Sequence, residues 1–330
     1  MPHDTTNSDC KHDRVHVHDT RRRKCVDCGA TWTVRPKKRG PKPRKHRTAI
    51  VRRTFTHQQT LTARALASDV GTRAWQQRHA AALQLFISRP WPRRPPRGQL
   101  ILVLDALWHT IDRAEWTTYL LGLRAVDGED LVFLRPILRP GHESEEQWRE
   151  VMDTIPKRTR RRIRAMVADS FAGVGAIADE EGWVLQRCHF HLLGKLATLC
   201  GNRKRRITWW KERQRTQVLI RRVLCETDEH RVRRACSELA RLAQDARCPV
   251  RIRRIIRSTL RWRDDFRAWY EHPHLRLPST TNAVENMNGR LRSLLNRHRG
   301  FRTPDALARW IIAYVWFHPR MKCRPKIPQK

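Results

Sequence analysis

The chain has 330 residues, with 69 Lys and Arg against 32 Asp and Glu, and a formal net charge of +37. Its 39% hydrophobic content and 13 Trp exclude a wholly disordered polycation. With no apolar run of about 18 residues and no apolar leader, a soluble, intracellular protein is expected, and nine scattered cysteines with one C-x2-C pair argue against a secreted disulfide framework. Basic clusters recur along the chain, at Arg21–Lys24, Lys37–Arg47, Lys157–Arg164, Arg203–Arg206 and Arg251–Arg257. Cations spread in this way suit one extended polyanion, and nucleic acid fits best.

Residues 1–35 hold the cysteine pair. Cys25-Val-Asp-Cys28-Gly29 is a C-x2-C knuckle, and Cys10 with His12 lies upstream as the partner pair. Such a Cys3His set suits a structural zinc ion; His16 and His18 compete with His12. The phrase RRRKCVDCGATWTV resembles the second half of a zinc ribbon, although the first half departs from C-x2-C. Residues 36–60 read as a basic Pro/Lys/Arg linker. Residues 61–88 read as two helices resembling a helix-turn-helix, with Ala67 and Gly71 at the turn. A second helix from Thr72 would then carry Arg73, Gln76, Gln77 and Arg78 to DNA. A plain helical hairpin fits the same pattern. Residues 89–97 form a second stiff linker of Pro and Arg.

From residue 98 to 318 the pattern changes to that of a larger domain. Gln99–Leu104 reads as a buried strand ending before Asp105. Thr117–Val126 and Leu131–Leu134 follow as strands, with a turn at Asp127–Asp130. Ser144–Ile155 has helical spacing. Arg164–Ala168 is a strand ending before Asp169, Phe171–Glu181 a helix, and Trp183–Cys188 a fifth strand. A helical, basic insertion occupies about 195–275; helices at Thr281–Asn296 and Asp305–Phe317 and a basic tail, 319–330, complete the chain. Three strands followed by helix–strand alternation is the order of an α/β, RNase H-like fold.

Two acids thus fall after two strands that this order makes neighbours, and Glu285 lies on a late helix. Three carboxylates around one point suit a pair of hard divalent ions, Mg²⁺ or Mn²⁺, acting on a phosphodiester. Each acid also has a plainer reading. Asp105 suits a turn or helix cap, Asp169 or Ser170 an N-cap, and Asn282 with Glu285 a capping box. Trp209, Trp210, Trp262 and Trp269 in the insertion suit a core, or stacking on exposed bases. No Gly-rich phosphate loop is present.

Three stretches carry a family resemblance: ILVLDALW with Asp105, AMVADSFAG with Asp169 followed by QRCHFHLLGKL, and TTNAVENMNGRLR with Glu285. Together they resemble the DDE transposases of the Mutator-like class and related bacterial insertion sequences. Cys188 and His191 match the C-x2-H element of that class, as half of a metal site or as an orienting pair. Asp169-Ser170 stands where Asp-Gly is usual. The resemblance implies catalysis by Asp105, Asp169 and Glu285. It implies cleavage at transposon ends in double-stranded DNA, with the freed 3′-OH joined to target DNA. Arg290 and Arg292, beyond Glu285, would hold phosphate. A homodimer is expected because two terminal repeats must be cut and paired, and the setting expected is cytoplasmic and nucleoid-associated in a prokaryote. The competing functions are a non-catalytic zinc-ribbon/helix-turn-helix regulator and an RNase H-like nuclease that cuts without joining.

Overall fold

The computed structural model describes residues 10–17, 22–33, 44–56, 71–91, 94–200, 208–297 and 301–326. The chain divides into two units, Met1–Ala49 and Ile50–Lys330. In the first, β1 (Val15–Val17), β2 (Arg22–Cys25) and β3 (Thr31–Thr33) form an antiparallel sheet in the order β1-β2-β3. Gly29, at φ +74°, supplies the left-handed turn after the knuckle. Of these strand side chains only Cys25 is buried. A sheet this small with so little apolar burial needs a cross-link or a metal to hold it.

The expected linker over 36–60 is corrected by the structure. Helix α1 (Arg44–Thr56) occupies much of it, and Val51 and Phe55, four residues apart on one face, are fully buried. Helix α2 (Thr72–Ile87) buries His79, Ala82, Leu83 and Phe86 at helical spacing. Phe86 stacks on Phe317 with ring centroids 5.1 Å apart, and Phe55 meets Trp310 at 5.0 Å. The first helix of the expected helix-turn-helix, at 61–70, lies outside the described residues.

The larger unit is a mixed α/β structure built on one sheet. Its strands are β4 (Leu100–Ile111), β5 (Ala114–Ala125), β6 (Asp130–Phe133), β7 (Ile137–Pro140), β8 (Ile163–Ala168), β9 (Val184–Arg187) and β10 (Arg320–Lys322). The order is β10-β6-β5-β4-β8-β9, with β7 pairing β5 off this path. Neighbours among β4, β5 and β6 run antiparallel, whereas β8 runs parallel to β4, and β9 to β8. The first strand is longer than its sequence suggests. It pairs with β5 from Leu100 opposite Ala125 to Ile111 opposite Ala114, through a turn whose Asp112 and Arg113 both have positive φ. The mixed run Asp105–Thr110 breaks the hydrophobic signal, and pairing with β5 restores the strand. The expected basic tail is likewise partly ordered: Arg320–Lys322 pairs with β6, and Cys323 N–H donates to Glu129 O at 2.7 Å.

Side-chain alternation gives the sheet two apolar faces. Ile101, Val103, Leu107, Leu120, Ala165 and Val167 face a core shared with α11 (Asn282–Arg297) and α12 (Pro304–Phe317). Leu100, Leu102, Leu104, Leu121, Met166 and Ala168 face α3 (Glu145–Asp153) and α5 (Val174–Glu181), where Trp148 and Ile177 are buried. The one-turn helix α4 (Lys157–Arg160) leads into β8.

The insertion has its own core. Helices α6 (His189–Cys200), α7 (Trp210–Cys225), α8 (Glu229–Gln244), α9 (Val250–Arg261) and α10 (Arg263–Glu271) bury Leu196, Ile220, Leu239, Ile252 and Phe266 together. Buried Gln186 of β9 fastens it to the sheet. The Gln186 amide donates to Phe266 O at 3.1 Å and accepts from Trp269 N–H at 2.8 Å. Trp269 is core, 1% exposed, with its indole N–H donating to Leu224 O. Trp262 lies beneath the guanidinium groups of Arg187 and Arg261. No helix among the described residues is long and apolar enough to cross a membrane.

Candidate active site

The parallel pairing of β4 with β8 sets two acids side by side. Val103 stands opposite Val167, and Asp105 and Asp169 each lie two residues further on. A period of two returns both side chains to the face of Val103 and Val167, which is the face that α11 covers. Glu285 enters from the first turn of α11. His191, on the first turn of α6, reaches all three: its Nε2 is 2.7 Å from Glu285 Oε1, 3.9 Å from Asp105 Oδ1 and 3.9 Å from Asp169 Oδ2. Lys195, one turn later, lies 3.4 Å from Asp169 Oδ2.

The plainer roles of the acids do not match this geometry. Asp105 lies within a strand, not in a turn. Asp169 Oδ1 accepts the Ser170 N–H at 2.6 Å, but α5 starts later, with Gly173 at its N-cap. The first turn of α11 closes on Thr281 O, which receives the N–H groups of Val284 and Glu285, and the Glu285 carboxylate turns to His191 instead of its own helix end.

Cys188, His189 and His191 of the Cys188-His-Phe-His191 run each have their own contact. Cys188 Sγ, 1% exposed, accepts the Thr281 N–H and hydroxyl, both at 3.3 Å, and so ties the start of α11 to the end of β9. His189 is buried against α10 with Nε2 2.7 Å from Phe266 O, and burial pushes its imidazole down to about 3. Neutral His189 therefore donates that proton to the carbonyl. His191 alone of the pair faces the acids. Cys188 belongs to no cluster of metal-ligand type among the described residues, so the half-zinc-site alternative finds no partner there.

Electrostatics follow from crowding. Burial pushes the Asp105 carboxyl up to about 7; His191 opposes this, the Glu285 charge adds to it, and the Ala106 N–H and Asn288 amide pull it back. Burial alone would lower His191, but Cys188 and the Glu285 and Asp169 charges outweigh it and hold the imidazole up at about 11. An imidazolium thus sits among three carboxyl groups, and Asp105 holds its proton tightly. Glu285 Oε1 and, on the other side of the ring, His191 Nδ1 are both buried without a well-formed hydrogen bond among the described residues. Donor atoms of Asp105, His191 and Glu285 lie within 4.8 Å of one another. Converging carboxylates with an unsatisfied buried oxygen fit a hard divalent cation.

Sequence reasoning missed Asn288. Its Nδ2 donates to Asp105 Oδ2 at 2.7 Å, from a side chain only 3% exposed. The available signal was a polar residue on the apolar side of α11, between Met287 and Leu291. Beside Glu285 a cleft of about 680 Å³ opens along α11, lined by Asn286, Gly289, Arg290, Ser293, Arg297 and Tyr314. Arg290 is exposed on it; Arg292 is exposed on the same helix. Arg73, Gln76, Gln77 and Arg78 are exposed along α2, away from its buried face.

The smaller unit brings Cys10, His12, Cys25 and Cys28 together, their ligand atoms within 4.8 Å of one another. Cys10 Sγ is 3.7 Å from Cys25 Sγ, and Cys28 Sγ is 3.4 Å from His12 Nδ1. The Cys28 N–H and then His12 push the Cys25 thiol down to about 6, toward the thiolate a metal takes. Two thiols paired with a third thiol and an imidazole fit zinc. His16 sits on β1 outside this cluster, and His18 lies outside the described residues.

The family described as "Transposase, Mutator family" matches residues 127–317, more than half of the chain. The match includes Asp169, Cys188, His191 and Glu285 but begins after Asp105. No curated protein matches the chain.

Proposed function

Because the chain belongs to the Mutator family of transposases, we propose that Asp105, Asp169 and Glu285 are the catalytic carboxylates of an RNase H-like DNA strand-transfer site. The observation that carries this reading is the meeting of three acids, from β4, from just beyond β8 and from α11, around one imidazole nitrogen, none further than 3.9 Å. The antiparallel β4-β5-β6 ribbon joined by parallel β8 and β9 supports the fold assignment. Bound Mg²⁺ or Mn²⁺ would activate the attacking oxygen and stabilise the leaving one at phosphorus. The three carboxylates hold the cation. His191, charged in the free protein, neutralises their mutual repulsion until the metal arrives. Cys188 and His189 fix α6 and α11 so that His191 and Glu285 stay at that spacing.

The substrate is duplex DNA, at transposon ends and then at a target. The strand runs along the cleft beside Glu285, past Arg290 and Arg297, with Arg292 holding a phosphate at its margin. Arg73, Gln76, Gln77 and Arg78 of α2 form a further contact surface. The Cys10/His12/Cys25/Cys28 cluster holds structural zinc, and a dimer holds two ends.

The test is a strand-transfer assay with a labelled duplex from the DNA flanking the gene, a supercoiled plasmid, and Mg²⁺ or EDTA. Metal-dependent joined product should form with the wild type and fall more than about 100-fold in Asp105→Asn, Asp169→Asn and Glu285→Gln, since disturbing only the partners of metal ligands already costs 10–100-fold. Cleavage without joining would leave a nuclease, and DNA binding without cleavage in any metal would leave a regulator.

A further inference from the structure

We propose that Asn288 is a positioning residue for this site: its amide holds one oxygen of Asp105 so that the other is presented to the cation. The inference rests on the reading of Asp105, Asp169 and Glu285 as metal ligands. Asn288 lies three residues after Glu285, so both project from neighbouring positions on one side of α11. Glu285 reaches His191, while Asn288 reaches Asp105. The two Asp105 oxygens are thereby divided. Oδ2 accepts the Asn288 amide at 2.7 Å, and Oδ1 is the oxygen directed toward His191 Nε2.

Packing does not account for the residue. Its neighbours on the buried side of the helix, Val284, Met287, Leu291 and Leu294, are apolar. Asn is a poorer helix former than Leu, and here its Oδ1 is buried with no hydrogen-bond partner among the described residues. An apolar residue would avoid both penalties, but it would leave the buried Asp105 Oδ2 without its donor. What Asn supplies that none of these can is a neutral donor aimed at a buried carboxylate. Lys or Arg there would cancel negative charge that the cation needs, and Asp or Glu would repel Asp105. An amide orients the carboxylate and leaves the charge of the site unchanged. One helix then sets both the placement of Glu285 and the orientation of Asp105.

The experiment is Mn²⁺ binding by the full-length protein, read from the electron paramagnetic resonance signal of free Mn²⁺, beside thermal melting and duplex binding. Asn288→Leu and Asn288→Ala should weaken Mn²⁺ binding about 10- to 100-fold, with duplex affinity unchanged and both variants still melting cooperatively. Mn²⁺ affinity within twofold of wild type in both variants would overturn the proposal, as would a lowered melting point with affinity intact. If the Leu variant does not fold, the Ala variant decides. Asp105→Asn, Asp169→Asn and Glu285→Gln separate the two readings. Should these bind Mn²⁺ as wild type does, the metal site itself is wrong; should they lose it while the Asn288 variants keep it, only the positioning role falls.

Discussion

The two donor clusters are built by opposite routes. Cys10, His12, Cys25 and Cys28 belong to one short stretch around a three-stranded sheet, and their donors are sulfur and imidazole. Asp105, His191 and Glu285 come from β4, α6 and α11, with Asp169 just beyond the end of β8, and most of their donors are oxygen. The first cluster stands where there is almost no apolar core, so a zinc ion bound there would supply the stability. The second stands on a sheet with two cores, so the fold is made first and the acids are held at a cost. On the proposed reading, metal builds structure in the one case, and structure builds the metal site in the other.

The largest effect expected from this contrast is on the smaller unit. Cys25→Ser with Cys28→Ser should remove bound zinc and melt β1–β3, because zinc binding by such modules is worth on the order of 10 kcal/mol of folding free energy. Zinc content by mass spectrometry and amide dispersion by NMR would check this, and a dispersed β1–β3 without zinc would end the contrast. Signals from the larger unit should persist.

Next is a pH effect confined to the acidic cluster. The Asp105 carboxyl stands near 7 in the folded chain against an ordinary 3.8. The folded state therefore binds the extra proton between those values, and this group's contribution to stability falls as pH rises from about 4 to 7. His191 acts in the other direction: raised from 6.5 to about 11, it stabilises below 6.5, and that contribution is lost as pH climbs through 11. Asp105→Asn should accordingly raise the melting temperature of the metal-free protein at pH 8 and have little effect at pH 4. An equal shift at both pH values would mean that Asp105 is not held as a strained carboxylate.

A smaller effect concerns DNA. Each phosphate-contacting Arg contributes close to one unit to the slope of log affinity against log salt. Arg73→Ala on α2 should reduce that slope by about 1, while Asn288→Ala should leave it unchanged; titrations at several salt concentrations distinguish them. The smallest is Gly289→Ala. Gly289 is exposed within α11, and a Cβ there would meet nothing within 4 Å. Calorimetry should show a gain of roughly 0.5–1 kcal/mol. Slower strand transfer in that more stable variant would mark Gly289 as bare for the passing strand.

The same contrast explains what the sequence discloses. The knuckle ligands are legible because they are close together and chemically distinctive. Asp105 and Asp169 are legible because each follows an apolar run, and the sheet register then explains why they meet. Asn288 was hidden because its partner is far away in sequence, and a lone Asn on a helix carries no periodic signal. The far half of β4 was hidden because Asp105–Thr110 alternates poorly, and only its antiparallel partner makes it a strand. Helix α1 was masked by the density of Lys, Arg and Pro before it, although Val51 and Phe55 already had helical spacing.

The placement of β10 bears on how the molecule is made. Strand β6 has β5 on one side and residues 320–322 on the other. Its second partner lies roughly two hundred residues downstream, so at 5–20 residues per second the ribosome needs about 10–40 s to deliver it. Throughout that interval Asp130–Phe133 presents an open row of backbone donors and acceptors to any neighbouring nascent chain. Asp130, at the start of that strand, places a charge on the unfinished edge. Crowded polysomes and slow translation are therefore the conditions under which this protein should aggregate first.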